Sequence, residues 1–204
     1  MKERYNLLGE NIIISSNVKF GQNLTIGHCS YVGYGKDENL NITIGDNVNI
    51  GAFCMLENGI IIGNNVDIDH QCLIYSGSSI GDNTKILYAS KIFSDSKIGN
   101  KCIIGADVPE RTIIEDNVTM LGEIAHSHRD ATTDWDTTNE PSPIIKKGSI
   151  VGCRALIIGG VVIGEGAYIG AGEVVRCDIP PNSVLYKGEI SPIDNWRGLI
   201  KTRG

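Results

Sequence analysis

Apolar residues recur every six positions from Ile14 to Ile104, and few folds can satisfy that spacing. The rungs are Ile14, Phe20, Ile26, Val32, Ile44, Ile50, Leu56, Ile62, Ile68, Ile74, Ile80, Ile86, Ile92, Ile98 and Ile104. Only Glu38 puts a polar side chain into the register. A strand alternates with period 2 and a helix with about 3.6, so neither alone produces a strict six. Gly follows a rung nine times, as in Ile44-Gly45 and Ile98-Gly99. Asn or Gly stands three residues after a rung at Asn17, Asn23, Asn41, Asn47, Gly59, Asn65, Gly77 and Asn83. These residue types tolerate positive φ most readily, so each unit reads as a short strand closed by a left-handed corner. Four residues after a rung comes a small or aliphatic side chain such as Val18, Leu24, Val48, Cys54, Val66, Cys72 or Cys102. The pattern predicts an all-β stacked solenoid.

One domain over residues 1–204 is expected at this length. Residues 1–11 read as a cap on the first coil, because an open solenoid end leaves unpaired strand edges. Around Glu38 the register resumes unchanged at Ile44, so either one side of that coil is polar or a small loop bulges out. After Ile104 the rungs return out of step at Ile114 and Met120, and Pro109 marks a side loop. The principal interruption is 121–144, a protruding loop holding His126, His128 and Trp135. A long loop in a regular fold is usually functional or disordered, and these side chains favour function. The ladder resumes at Ile145, Val151, Ile157, Ile163, Ile169 and Val175. Residues 180–204 leave it as a tail, where Ser191-Pro192 resembles a helix start and Trp196 would cover the last coil.

A net charge of −6 argues against a nucleic-acid scaffold. No apolar run reaches the ~18 residues of a membrane span, and the first residues do not read as a signal peptide. A cytoplasmic protein is the expectation. Cys54, Cys72 and Cys102 fall at the inward position of their hexads and read as buried free thiols. No Cys/His spacing suggests zinc, so no metal is expected.

Segments such as Ile44-Gly-Asp-Asn-Val48 and Ile163-Gly-Glu-Gly-Ala167 resemble the signature of the hexapeptide-repeat acyltransferases. That resemblance implies a left-handed parallel β-helix of triangular section with three hexads per turn. It also implies a homotrimer. The stretch 143–181 is similar to the C-terminal coils of the galactoside, maltose and xenobiotic acetyltransferases, and His126-Ser127-His128 is similar to the surface-polysaccharide sugar acetyltransferases. The implied activity is transfer of an acetyl group from acetyl-CoA to a hydroxyl or amine of a sugar, nucleotide sugar or similar acceptor. The family's catalytic histidine corresponds to His126, after the Val118–Met120 hexad. An imidazole with pKa near 6.5 can take the acceptor's proton at neutral pH. Glu123, Asp130, Asp134 or a backbone carbonyl would orient it. His128 and Trp135 are candidates for contacting the acceptor, Trp135 as a stacking platform or as an anchor for the loop. By position, the resemblance puts the cofactor groove on Cys153, Gly170, Ala171, Arg176 and Cys177. Arg176, or else Lys187, Arg197 or Lys201, would meet a CoA phosphate.

Two other classes compete. A γ-type carbonic anhydrase shares the solenoid but needs three histidines converging on zinc. His28 and His70 are 42 residues apart, which at eighteen residues per turn places them on different faces. A non-catalytic trimeric scaffold would have no use for a histidine-bearing loop beside small-residue coils.

Overall fold

The computed structural model describes residues 5–7, 9–35, 40–125, 132, 140–196 and 198. Strands of two to four residues wind around three faces, and the fold is the left-handed parallel β-helix. The first face runs through eleven strands, from Tyr5–Leu7 to Glu189–Pro192. The third has eight, from Val18–Phe20 to Val162–Ile163. The second is broken in two. Six strands run from Ile13–Ile14 to Asp107–Val108, and three more comprise Glu123–Ala125, Leu156–Ile158 and Val174–Val175. Among the described residues no helix is long and apolar enough to cross a membrane.

The rungs are the core. Ile50, Ile68, Ile86 and Ile104 pair in register up the first face, eighteen residues apart, and each is at most 1% exposed. Burying an isoleucine contributes about 1.5–3 kcal/mol relative to leaving it in water, and the ladder repeats that on every face. Cys54, Cys72 and Cys102 are buried among the rungs as free thiols.

The corner between the third and first faces shows why Asn recurs there. Asn23, Asn47, Asn65 and Asn83 all take φ between 55° and 57°. The Asn23 and Asn47 amides donate to the next Asn up the column at 2.8 and 3.0 Å. Beside them, the Asn64 Oδ1 accepts from the Asp46 N–H and the Asp82 Oδ1 from the Asn64 N–H. Each coil's side chains thus satisfy backbone donors of the coil before it.

Several expectations change. Tyr5–Leu7 pairs in parallel with Leu24–Ile26, so part of the stretch read as a cap is itself a strand of the first face. The register around Glu38 is an insertion. Val32 pairs with Leu56 and Phe20 with Ile44, each twenty-four residues on, so this coil carries one extra hexad between the Tyr31–Tyr34 and Ile42–Ile44 strands. Asn17 and Asn41 do not take positive φ. The Asn17 amide instead donates to the Leu40 carbonyl at 2.6 Å and to Asn58 Oδ1 at 2.9 Å, tying down the end of that insertion.

The ladder also outlasts Val175. Ile179 bridges to Ile163, and Ser183–Tyr186 pairs with Tyr168–Ile169 before folding back antiparallel onto Glu189–Pro192. The expected helix is one 3-10 turn at Ile193–Asn195, and Ser191 lies in the preceding strand. Trp196 packs edge-on against Tyr186 with centroids 4.6 Å apart.

Candidate active site

The break in the second face has a local cause. A regular corner between the first and second faces has four residues, such as Leu87–Ser90 or Gly152–Ala155. Two successive corners have only two, Gly105–Ala106 and Leu121–Gly122. Ile92 therefore pairs with Val108 only sixteen residues on. The stretch 105–111 is a shortened corner followed by a rung, not a side loop, because Val108 is fully buried in the Ile92 column.

Pro109 acts differently from the expectation. One coil below, the Phe93 N–H donates to the Val108 carbonyl at 2.9 Å. The equivalent donor toward Ile124 would be residue 109, and proline has no N–H. The ladder between Asp107–Val108 and Glu123–Ala125 is interrupted there.

Two short corners stacked between longer ones leave a notch of about 430 Å³. Tyr88, Ala89 and Ser90 form its lower lip, and Cys153 and Arg154 its upper lip. Gly105, Ala106, Asp107, Leu121, Gly122, Glu123 and Ile124 line its interior. Gly122 is required by close approach, since a Cβ there would meet the Ala155 carbonyl oxygen at 2.5 Å and Val151 Cγ1 at 2.8 Å. Asp107 is ion-paired with Lys91 at 3.2 Å.

The strand Glu123–Ala125 joins this notch to the insertion. It pairs residue by residue with Leu156–Ile158, so 121–125 belongs to the ladder, and Ile144–Ile145 rejoins it on the third face. The interruption is therefore narrower than 121–144. His126, His128 and Trp135, with Asp130 and Asp134, lie outside the described residues. His126 directly follows Ala125 in the sequence, two residues on from Ile124 in the notch lining. Glu123, considered as a partner for His126, points outward and lines the notch.

The residues carried over for the cofactor fall on two corners. Cys153 and the Gly170–Ala171 pair stack on one, above the notch, where the Gly172 N–H donates to the Cys153 carbonyl at 3.0 Å. Cys153 and Ala171 are exposed and Gly170 is buried. Lys187 caps the same corner, its N–H donating to Glu173 Oε1 at 2.5 Å and its ammonium 5.4 Å from the Tyr186 ring centroid. Arg176 and Cys177 are exposed on the opposite corner, after Val175 and before Ile179. The structure thus brings Cys153, Gly170, Ala171 and Lys187 together and leaves Arg176 and Cys177 apart. Arg197 and Lys201 lie outside the described residues.

The histidine geometry behind the zinc reading also changes. The extra hexad makes 42 residues two whole coils, so His28 and His70 stand on one corner and not on different faces. Each Nδ1 accepts a backbone N–H, from Glu10 at 2.8 Å and from Ala52 at 2.7 Å, which leaves the neutral ring's proton on Nε2. Ala52 sits between them, and no group of three metal-ligating side chains occurs among the described residues.

The notch was missed in the sequence although its signal was there. Spacings of four, Ile104 to Val108 and Met120 to Ile124, replace six at both corners. Arg154, Asp107 and Ala106 are the residues this would have found.

Residues 41–76 match the family model described as bacterial transferase hexapeptide (six repeats), within the coils just described. The match covers 36 of the 204 residues, and the six-residue repeat continues beyond it on both sides. The chain is 34% identical over 79 residues to the serine acetyltransferase of Salmonella typhimurium, covering 39% of this chain and 27% of that enzyme. It is 46% identical over 43 residues to the dTDP-3-amino-3,6-dideoxy-α-D-galactopyranose 3-N-acetyltransferase of Aneurinibacillus thermoaerophilus, covering 21% and 22%. The match thus spans about a quarter of the length of these curated relatives. The UDP-N-acetylglucosamine O-acyltransferase of Moraxella catarrhalis is similar in structure, with a TM-score of 0.44 at 17% identity, over 86% of this chain and 69% of that one.

Proposed function

We propose that this hexapeptide-repeat protein is an acetyl-CoA-dependent acetyltransferase acting on a hydroxyl or amine of a sugar or sugar-like acceptor, with His126 as general base. The observation that carries the reading is the strand Glu123–Ala125. Its first residues wall the notch, and its last residue leads directly into His126. Directly above lies the corner of small residues, Cys153 and Gly170–Ala171, which leaves room for the narrow arm of a thioester cofactor. The similarity to enzymes named for acetyl transfer supports the same class. Trp135 and His128 would contact the acceptor. Arg176 and Cys177, on the far corner, fit a second cofactor contact only if the groove is completed by a neighbouring copy, and a homotrimer is part of the proposal.

In that reading the acceptor's oxygen or nitrogen attacks the thioester carbonyl while His126 takes its proton. The C–S bond then breaks, and the sulfur leaves as the thiol with the proton returned by the imidazolium. The thioester is already activated, so no acyl-enzyme is required. General bases contribute about 10²–10⁴-fold in rate. His126→Ala should lower kcat by that factor, read by free-thiol release, with acetyl-CoA binding unchanged. His128→Ala should cost far less, and kcat/KM of the wild type should fall on the acid side as the imidazole protonates. Near-normal turnover by His126→Ala would overturn the assignment.

A further inference from the structure

We propose that the notch is the acceptor site, and that it takes a small molecule carrying both a primary amine and an anionic group. The notch is of the size of a small-molecule site, about 430 Å³ against the usual 300–1,000 Å³. Its back is apolar or without side chain, from Ala106, Gly105, Gly122 and Ile124. The Tyr88 ring is 59% exposed on the lower lip, and its hydroxyl donates to Gln71 Oε1 at 2.8 Å, which holds the ring as a wall.

The charges select the ligand. Asp107 is already ion-paired with Lys91. Among the described residues the carboxylate of Glu123 and the guanidinium of Arg154 make no hydrogen bond or ion pair, either with each other or with a neighbour. Arg154 is held on the upper lip in a left-handed conformation, φ 59°, which fixes where its side chain starts. An uncommitted carboxylate on the interior wall and an uncommitted guanidinium on the rim suit a ligand with an ammonium at one end and a carboxylate or phosphate at the other. The guanidinium fork accepts either anion in bidentate fashion.

This assignment rests on the acyl-transfer reading only for its chemical outcome. There, the ammonium loses one proton to solvent. The amine nitrogen then attacks the thioester carbon and gives a second proton to His126 as the C–N bond forms, and the imidazolium returns that proton to the sulfur as the C–S bond breaks. The products are the amide and free CoA thiol.

The test is binding to the full chain without acetyl-CoA, by calorimetry, using four probes: glucosamine 6-phosphate, L-serine, glucosamine and glucose 6-phosphate. At least one of the two probes that carry both an ammonium and an anionic group, L-serine and glucosamine 6-phosphate, should bind tenfold or more tighter than either glucosamine or glucose 6-phosphate. Preference for L-serine would identify an amino-acid acceptor, and preference for glucosamine 6-phosphate a phosphorylated amino sugar. Glu123→Gln and Arg154→Ala should each remove about tenfold, with Arg154→Lys intermediate. Both positions are on the surface, so unchanged circular dichroism would exclude unfolding. Equal binding of all four probes, or variants that bind as the wild type does, would overturn the proposal. Binding as expected without thiol release would instead sink the acyl-transfer reading and leave the site standing.

Discussion

Phe53, Gln71, Ala89 and Arg154 take φ between 58° and 62°, although a left-handed backbone normally selects Gly or Asn. They stand at the corner between the first and second faces, where the column of asparagine side chains seen at the neighbouring corner is absent. There the fold imposes the conformation and the residue type tolerates it. The inward-facing thiols follow the opposite logic, since their position in the hexad dictates burial. Burial pushes the Cys102 thiol up to about 11, and the neighbouring Cys54 thiol together with burial pushes Cys72 up as well. A thiol reacts as its thiolate, so Cys72 and Cys102 are protected both by access and by ionisation, whereas the hydrogen bond with Cys72 lowers the Cys54 thiol and burial alone protects it. Alkylation of the native protein at pH 8 should modify Cys29, Cys153 and Cys177, which are exposed. Cys54, Cys72 and Cys102 should react only after denaturation. Mass spectra showing six rapid additions to the native protein would contradict the packing described.

Corner length is the variable that builds the site. Removing two residues from a four-residue corner keeps the inward phase, because strand side chains alternate with period 2. The rung therefore stays inside while the outline of the prism is indented. Pro109 adds to this by deleting a donor toward Ile124. Restoring the hexad by inserting Gly-Asn between Gly105 and Ala106 should leave the parallel ladder intact, since the phase is unchanged. It should fill the notch from below and reduce binding of L-serine and glucosamine 6-phosphate by tenfold or more. Unchanged binding in a variant with native circular dichroism would separate the notch from recognition. The third short corner, Arg176–Cys177 between Val175 and Ile179, lies at the opposite edge and should tolerate the same insertion without loss of acceptor binding.

Across the whole molecule the three faces are unequal. The first face keeps its ladder unbroken from Tyr5 to the antiparallel return at Glu189–Pro192. The second is interrupted beside the notch and carries exposed apolar groups on the lower coils, Ile13 at 54% and Met55 at 38%, with Phe53 at the adjoining corner 56% exposed. Apolar surface of this kind favours association. With the candidate cofactor residues divided between two corners, the proposed site would be completed by a neighbouring copy. Light scattering at micromolar concentration should give three times the chain mass of 22.0 kDa. A stable 22 kDa particle would remove the shared groove from the proposal.

The period of six determined the solenoid, its rungs and the inward thiols without any structure, because a repeat of apolar residues specifies which side chains must share a core. Ile50, Ile68 and Ile86 were found where that rule placed them. The same rule misjudged His28 and His70, since one inserted hexad preserves the sequence register while changing the number of residues per coil. It also read 105–111 as a loop, because the apolar spacing of four had no meaning until Val108 was seen beneath the broken ladder. His126 was singled out by its residue type and its place after a hexad. The strand that precedes it in the sequence, Glu123–Ala125, was decided only by pairing with Leu156–Ile158 more than thirty residues away. Sequence periodicity reports contacts that repeat along the chain. The notch arises where the repeat fails, and only the stacking of neighbouring coils determines whether such a failure becomes a bulge or a cavity.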